Sequence, residues 1–121
     1  MQKEAYEQQA LFEWAASLEN VFPELALMFH IPNGGSRNRI EAHNLKTQGV
    51  KAGIPDICLP VARGGYHGLF IELKVKPNRA TEKQLWWLQK LKERGYCAKV
   101  CYGCAEASQT ILKYLEWKEV R

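Results

Sequence analysis

One stretch of the sequence, Leu69-Phe70-Ile71-Glu72-Leu73-Lys74-Val75, decides how the rest of the chain is interpreted. Its apolar residues form a nearly continuous run, which is typical of a central strand buried on both faces. Glu72 and Lys74 interrupt the run at a spacing of two, so their side chains leave the same face about 7 Å apart. Burying a carboxylate and an ammonium group costs several kcal/mol unless they pair or bind something. The stretch predicts either a functional core strand or an edge strand with a solvated ion pair.

A second acidic residue opens the preceding strand. In Gly53-Ile54-Pro55-Asp56-Ile57, an aspartate follows a proline that restricts the backbone and precedes an apolar run. We predict strands over residues 56–62 and 69–75, and the glycine-rich segment 63–68 between them predicts a hairpin that brings Asp56 close to Glu72. Two converging carboxylates beside a lysine suit a hard divalent cation such as Mg²⁺. The alternative for Asp56 alone is a residue that caps a turn.

The other elements follow from periodicity, capping residues and turn residues. The sequence Thr81-Glu82-Lys83-Gln84 matches a capping box, which marks the start of a helix. The predicted helices cover residues 4–20, 39–48, 81–94 and 105–117, and the predicted strands cover residues 25–31, 56–62, 69–75 and 96–102. This αβαββαβα order, with one hairpin and one helical crossover, predicts an α/β fold whose mixed four-stranded sheet is flanked by helices.

Composition sets the broad class of the protein. A chain of 121 residues and 13.9 kDa is expected to form a single domain over residues 1–121. The net charge of +4 is a mild excess that permits a polyanionic partner. No apolar run approaches the roughly 18 residues of a membrane span, and the polar N-terminus argues against a signal peptide. We therefore expect a cytoplasmic protein with reduced cysteines and no membrane partner.

Several cofactor sites are not expected. The sequence contains no phosphate-binding loop and no dinucleotide fingerprint, so no nucleotide cofactor is predicted. Cys101-Tyr102-Gly103-Cys104 is a C-x-x-C motif, but no second pair of ligands for a structural zinc lies near it. A purely structural metal protein therefore has little support beyond these cysteines.

The blocks described above resemble a known family. Pro55-Asp56, followed sixteen residues after Asp56 by Glu72-x-Lys74, is the motif of the PD-(D/E)xK nuclease superfamily. Together with blocks 31–35, 49–56 and 68–74 and with Gln84, it resembles the VRR-NUC (virus-type replication-repair nuclease) family, and more narrowly its stand-alone phage and bacterial members. The resemblance extends from Glu4 to about Leu115. It implies a restriction-endonuclease-like core and a location in the cytoplasm of a bacterium or phage host.

The resemblance also implies roles for individual residues. Asp56, Glu72 and the Leu73 carbonyl would bind Mg²⁺ or Mn²⁺, and Lys74 would be the catalytic lysine. The first-helix glutamate of the family would correspond to Glu4. Helical geometry favours Glu4 over Glu7, because Glu4 is centred on the apolar stripe of that helix. The choice between these two acids nevertheless stays open.

Gln84 has two interpretations at this stage. It lies within the inward stripe of its helix and would correspond to an active-site glutamine of the family. It is also the fourth residue of the capping box, and that role alone explains a glutamine here.

Candidate contacts to nucleic acid cluster in two loops. The turn at 32–39 offers backbone N–H groups and arginines that suit phosphates, and Lys51 lies just before the Asp56 strand. The predicted nucleic-acid-binding residues are Asn33, Gly34, Arg37, Arg39 and Lys51. A plain solvated turn has a similar composition. His30 lies inside the first predicted strand, where a core histidine is as consistent as a proton carrier.

Together these inferences predict a metal-dependent, structure-specific DNA endonuclease with Glu4, Asp56, Glu72, Lys74 and Gln84 at its catalytic site. The alternative is a nucleic-acid-binding module with a weak or inactive site. The resemblance implies a homodimer that acts on branched DNA, especially four-way (Holliday) junctions. Trp86 points away from the apolar stripe of its helix, which suggests either a partner contact or packing under the last helix. The sequence leaves open whether one or two metals bind and whether RNA is cut.

Overall fold

The computed structural model describes residues 3–32 and 39–118. Its helices are α1 (Lys3–Ser17), α2 (Arg39–Thr47), α3 (Glu82–Glu93) and α4 (Gly103–Glu116), and its strands are β1 (Phe29–His30), β2 (Ile57–Leu59), β3 (Leu69–Lys74) and β4 (Cys97–Tyr102). A 3-10 helix, Pro23–Leu27, precedes β1. The predicted α/β fold and the order αβαββαβα are confirmed, with this one short helix added. The described helices are too short or too polar to span a bilayer.

The four strands form one mixed sheet in the order β1-β2-β3-β4. Strand β2 pairs antiparallel with both β1 and β3, and β3 pairs parallel with β4. The hairpin between β2 and β3 turns at Gly64 and Gly65, whose φ angles are +59° and +87°, as a two-residue turn with left-handed backbone requires. Because β3 has a neighbour on each side, the edge-strand interpretation of 69–75 is wrong.

Side-chain alternation along β3 separates a core face from a site face. Leu69, Ile71 and Leu73 belong to the main hydrophobic cluster, which also includes Leu11 of α1 and Ile111 of α4. Since successive side chains of a strand point to opposite faces, Phe70, Glu72 and Lys74 lie on the other face. Helices α1 and α4 contact each other and β3, whereas α3 contacts β4. The two charged residues of β3 are therefore held on a rigid central strand.

The first strand is shorter than the sequence predicts. Residues 25–27, expected to lie in a strand over 25–31, belong to the 3-10 helix, and the strand consists of Phe29 and His30. Pro23 occupies the first turn of that helix, where its fixed φ and missing N–H are well tolerated. The apolar run correctly predicts burial of Leu25 and Met28. It does not predict strand, because a short apolar run has no periodicity that separates strand from helix.

Helix α3 begins and ends as predicted. The Thr81 hydroxyl accepts a hydrogen bond from the Gln84 N–H at 3.2 Å, and the Thr81 N–H donates to Gln84 Oε1 at 2.9 Å. These two bonds complete the capping box. Gly95 follows the helix with φ +93°, the left-handed conformation that commonly terminates helices. The helix is therefore fixed at both ends, and its first turn holds Gln84 and Lys83.

Candidate active site

The pairing of β2 with β3 brings the two acidic residues together. Ile57 is paired with Ile71, so Asp56, one residue before β2, lies opposite Glu72. Asp56 Oδ2 accepts a hydrogen bond from the Leu73 N–H at 2.8 Å, which fixes the carboxylate against β3. On its other side, the Asp56 carbonyl accepts a hydrogen bond from the Ile31 N–H at 2.7 Å. The aspartate is thus tied to the strands on both sides, and the prediction that the hairpin places it near Glu72 agrees with this geometry.

Glu72 is an acidic group in an unfavourable environment. Its side chain is buried, and Lys74 Nζ lies 3.7 Å from Glu72 Oε2. Glu72 Oε1 is buried and has no hydrogen-bond partner among the described residues. An ionised carboxylate with an unsatisfied buried oxygen is costly, and a single lysine at this distance compensates it incompletely.

The ionisation of Glu72 reflects this environment. Burial is the largest cause that raises the pKa of Glu72, followed by the charge of Asp56 and by hydrogen bonding between the two carboxyl groups. Lys74 lowers the pKa and Glu4 raises it further, and the result is a pKa of about 9. Without a bound cation, therefore, Glu72 is largely protonated near pH 7. A positive ion beside Glu72 would favour its ionised form.

The donor set fits a hard divalent cation. No three His, Cys, Asp or Glu side chains gather into a metal site within 3–32 and 39–118. Two carboxylates are nevertheless enough for Mg²⁺, which commonly keeps several waters and takes further oxygens from substrate phosphates. The unpartnered Glu72 Oε1 is the observation that favours a cation, because a cation would satisfy this buried oxygen. Asp56 and Glu72 would then hold the ion, with the Leu73 carbonyl as a further oxygen ligand.

Glu4 and Glu7, in the first half of α1, make different contacts. Glu4 is half-buried, its charge acts on Glu72, and its Oε2 accepts a hydrogen bond from Asn78 Nδ2 at 3.5 Å. Glu7 Oε1 instead accepts a hydrogen bond from the Cys104 N–H at 2.8 Å, at the start of α4. Glu7 therefore contacts the start of α4, whereas the charge of Glu4 acts on Glu72, so Glu4 stays the predicted α1 acid of the site.

The capping box, and not a contact with the acidic residues, orients the Gln84 side chain. Its Oε1 is committed to the Thr81 N–H, so the structural interpretation of this residue accounts for its oxygen. The amide nitrogen of the same side chain is not used by that bond and can donate to a substrate or to a water. The role of Gln84 in catalysis stays a prediction.

The predicted DNA contacts divide into described and undescribed residues. Asn33, Gly34 and Arg37 lie outside the described residues. Arg39 begins α2 and is exposed, and Lys51 is exposed on the loop before Asp56. That loop is anchored to α3, because Trp87 Nε1 donates to the Ala52 carbonyl at 3.0 Å.

Two polar residues near the site, His30 and Asn78, add to the sequence-based expectations. His30 is exposed rather than in the core, and its Nδ1 lies 2.9 Å from the Asp56 carbonyl oxygen. His30 does not pack in the core because β1 lies at the edge of the sheet. Asn78, which contacts Glu4, was not a candidate. Its position in the loop that leaves the Glu72 strand is the signal that could have indicated it.

Comparison with known proteins agrees with this geometry. The VRR-NUC domain profile matches residues 2–105 of this chain. A solved structure described as a VRR_NUC domain protein is 32% identical, with a TM-score of 0.82 over 96% of this chain and 90% of the other. No curated protein gives a match. With its carboxylate pair and lysine on adjacent strands, the chain belongs to the VRR-NUC family, whose members are nucleases of the PD-(D/E)xK type.

Proposed function

We propose that this protein is a divalent-metal-dependent, structure-specific endonuclease that hydrolyses phosphodiester bonds in branched DNA. The observation that carries the proposal is the buried Glu72 opposite the half-buried Asp56, with the unpartnered Glu72 Oε1 beside Lys74. Such a group destabilises the protein on its own, so its presence on a central strand is best explained by a ligand that compensates it.

The residues of the site divide the work of the reaction. Asp56 and Glu72 would hold Mg²⁺ or Mn²⁺, which polarises the scissile phosphate and lowers the pKa of a bound water. Lys74 points its ammonium group into the same buried space and can stabilise negative charge on the phosphate as the bond breaks. Glu4, held by Asn78, adds negative charge at the border of the site and can orient water there. Gln84 can donate a hydrogen bond from its amide nitrogen, which the capping box does not use.

Branched DNA and a dimer are the finer parts of the proposal. The outer edge of β4 pairs with no other strand in the described part of the chain. A groove of about 990 Å³ runs along this edge between α3 and α4. An open strand edge is a natural place for a second copy to bind. A two-fold dimer would set two active sites against the two strands of a two-fold junction.

A cleavage assay tests the function. The protein is incubated with a four-way junction and with a linear duplex of the same sequence, in Mg²⁺ and then in EDTA. We expect metal-dependent cutting that is faster on the junction. Binding without cutting would support the nucleic-acid-binding module instead, and cutting in EDTA would remove the metal from the reaction.

Calorimetry tests the metal site separately. Asp56→Asn and Glu72→Gln each remove one carboxylate ligand, so each should weaken Mg²⁺ binding. Glu93→Gln, on the exposed side of α3, is the control and should leave the affinity unchanged. Equal Mg²⁺ affinity in all three variants would mean that the ion binds elsewhere.

A further inference from the structure

The exposed face of α3 carries a tryptophan between two lysines. Trp86 is 50% exposed, although indole is among the side chains that folding most strongly buries. Lys83 Nζ lies 5.1 Å from the centre of the Trp86 ring, and Lys90 Nζ lies 5.9 Å from it. We call Lys83, Trp86 and Lys90 the α3 strip.

The α3 strip is connected by contacts to the loop that leads to Asp56. The Trp86 ring contacts Trp87 edge to face, with centroids 5.6 Å apart, and Trp87 is hydrogen-bonded to the Ala52 carbonyl. The stem of Lys83 packs so closely over Gly53 that a Cβ built there would lie 2.5 Å from Lys83 Cγ. Gly53 precedes Asp56 by three residues, so the strip begins at the loop that carries the catalytic aspartate.

The charges of the strip favour a polyanion over a second copy of this chain. Lysine is depleted at protein interfaces, because burying its ammonium group is costly. Lys90 is partly neutralised by Glu93, at 3.5 Å, whereas Lys83 has no carboxylate within ion-pair distance among the described residues. A strip of an aromatic ring flanked by cations combines the two elements that bind single-stranded nucleic acid, which are a stacking surface and phosphate-binding charges.

We propose that the α3 strip binds the substrate DNA at an unstacked base, with Trp86 stacking on that base and Lys83 and Lys90 contacting the adjoining phosphates. Bases inside a duplex are stacked on both faces, so Trp86 can reach a base only where the stack is interrupted, as at a branch point or a single-stranded segment. The strip would then contribute to the choice of structure as well as to affinity. This inference rests on the proposed nuclease function and assigns it a recognition site.

Substitutions at Trp86 separate stacking from apolar contact. Trp86→Phe keeps a ring, whereas Trp86→Leu keeps apolar bulk and removes the ring. Affinity is measured in EDTA by fluorescence anisotropy, with a four-way junction, a duplex containing a single-stranded gap, and an intact duplex. We expect Trp86→Leu to bind the gapped DNA and the junction about tenfold more weakly, Trp86→Phe to stay within about threefold of the wild type, and the intact duplex to change little in either. Tyr6→Leu, at an aromatic residue that is 62% exposed on α1, is the matched control and should bind like the wild type.

The lysines are tested by salt dependence. Replacing both Lys83 and Lys90 by Gln should reduce the slope of log affinity against log salt by about 1 to 2. Light scattering of every variant checks its mass. A Trp86→Leu protein that binds all three DNAs like the wild type overturns the proposal. A Trp86→Leu protein whose mass is lower than that of the wild type also overturns it, because Trp86 would then be a contact between protein subunits. Failure of the nuclease proposal is a different result: the wild type itself would then not cut DNA in Mg²⁺, whatever the DNA affinities of the variants.

Discussion

Lys74 is a buried cation directly beside the acid pair, since its side chain is 10% exposed and lies 3.7 Å from Glu72. Surface lysines share ground-state contacts with the DNA backbone, whereas a cation held at the reacting phosphate acts mainly on the transition state. We therefore expect Lys74→Ala to lower the rate of cleavage by on the order of 10²-fold or more while DNA affinity changes little. The rates are compared in single-turnover assays with labelled junction DNA.

Lys76→Ala serves as the control for that substitution, because Lys76 is exposed two residues further along and lies over the Tyr102 ring. It should cut within a few-fold of the wild type. A Lys74→Ala protein that cuts as fast as Lys76→Ala would exclude Lys74 from the chemistry.

The acid pair also makes stability depend on pH. Burial and Asp56 raise the pKa of Glu72 from 4.5 to about 9 in the folded protein. A raised acid pKa means that the folded state holds its proton more tightly than the unfolded state does. The contribution of Glu72 to the free energy of unfolding is therefore complete below about pH 4.5 and is lost as the pH rises towards 9.

Glu72→Gln should remove this pH dependence. In EDTA, we expect its melting temperature to exceed that of the wild type by an amount that grows from pH 5 to pH 9, reaching about 4 °C or more. Circular dichroism melts at each pH measure the difference, and Glu93→Gln is the surface control. A difference between Glu72→Gln and the wild type that is constant across this range would contradict the assigned ionisation.

At the scale of elements, the site depends on the contact between the loop before β2 and the first turn of α3. Gly53 has φ +87°, and a Cβ there would lie 2.5 Å from Lys83 Cγ and 3.2 Å from the Lys83 carbonyl carbon. Gly49, in the same loop, has φ +100° but nothing within 4 Å of its Cβ position. Both glycines thus have a left-handed backbone conformation, but only Gly53 is packed against α3.

Alanine at each position separates these two effects. Both Gly49→Ala and Gly53→Ala should lose about 1–2 kcal/mol of stability from the positive φ. Gly53→Ala alone should push α3 away from the loop, displace Asp56 and lower the cleavage rate at least about tenfold at a temperature where both proteins are folded. Denaturant titration and cleavage assays give the two quantities. Equal cleavage rates would show that this contact does not position the site.

The whole molecule is proposed to act as a two-fold dimer. Light scattering at micromolar concentration should therefore give about twice 13.9 kDa. A junction labelled on each strand should show paired cuts at symmetric positions, because the two sites of a dimer face equivalent strands. A monomeric mass together with cuts on a single strand would leave a general endonuclease in place of a junction-specific one.

Much of the molecule follows from local sequence. Gly64 and Gly65 predict the hairpin, and Thr81 and Gln84 predict the start of α3. The helical pattern between the last two strands predicts their parallel pairing. These signals are local because turns and caps are made by residues near one another in the chain. Part of the candidate site could be predicted in the same way, since the charged residues Glu72 and Lys74 interrupt an apolar strand.

Other features depend on contacts that no local pattern records. Residues 25–27 form a 3-10 helix because a short buried run can take either conformation, and the surrounding packing selects one. Glu4 and Glu7 are one turn apart, and their roles diverge because Asn78 and the start of α4, both distant in sequence, lie beside one glutamate each. The sequence by itself determined which residues are charged, apolar or able to turn. The tertiary structure decided the partners of Glu72, because burial and the approach of Asp56 from a neighbouring strand are what raise its pKa.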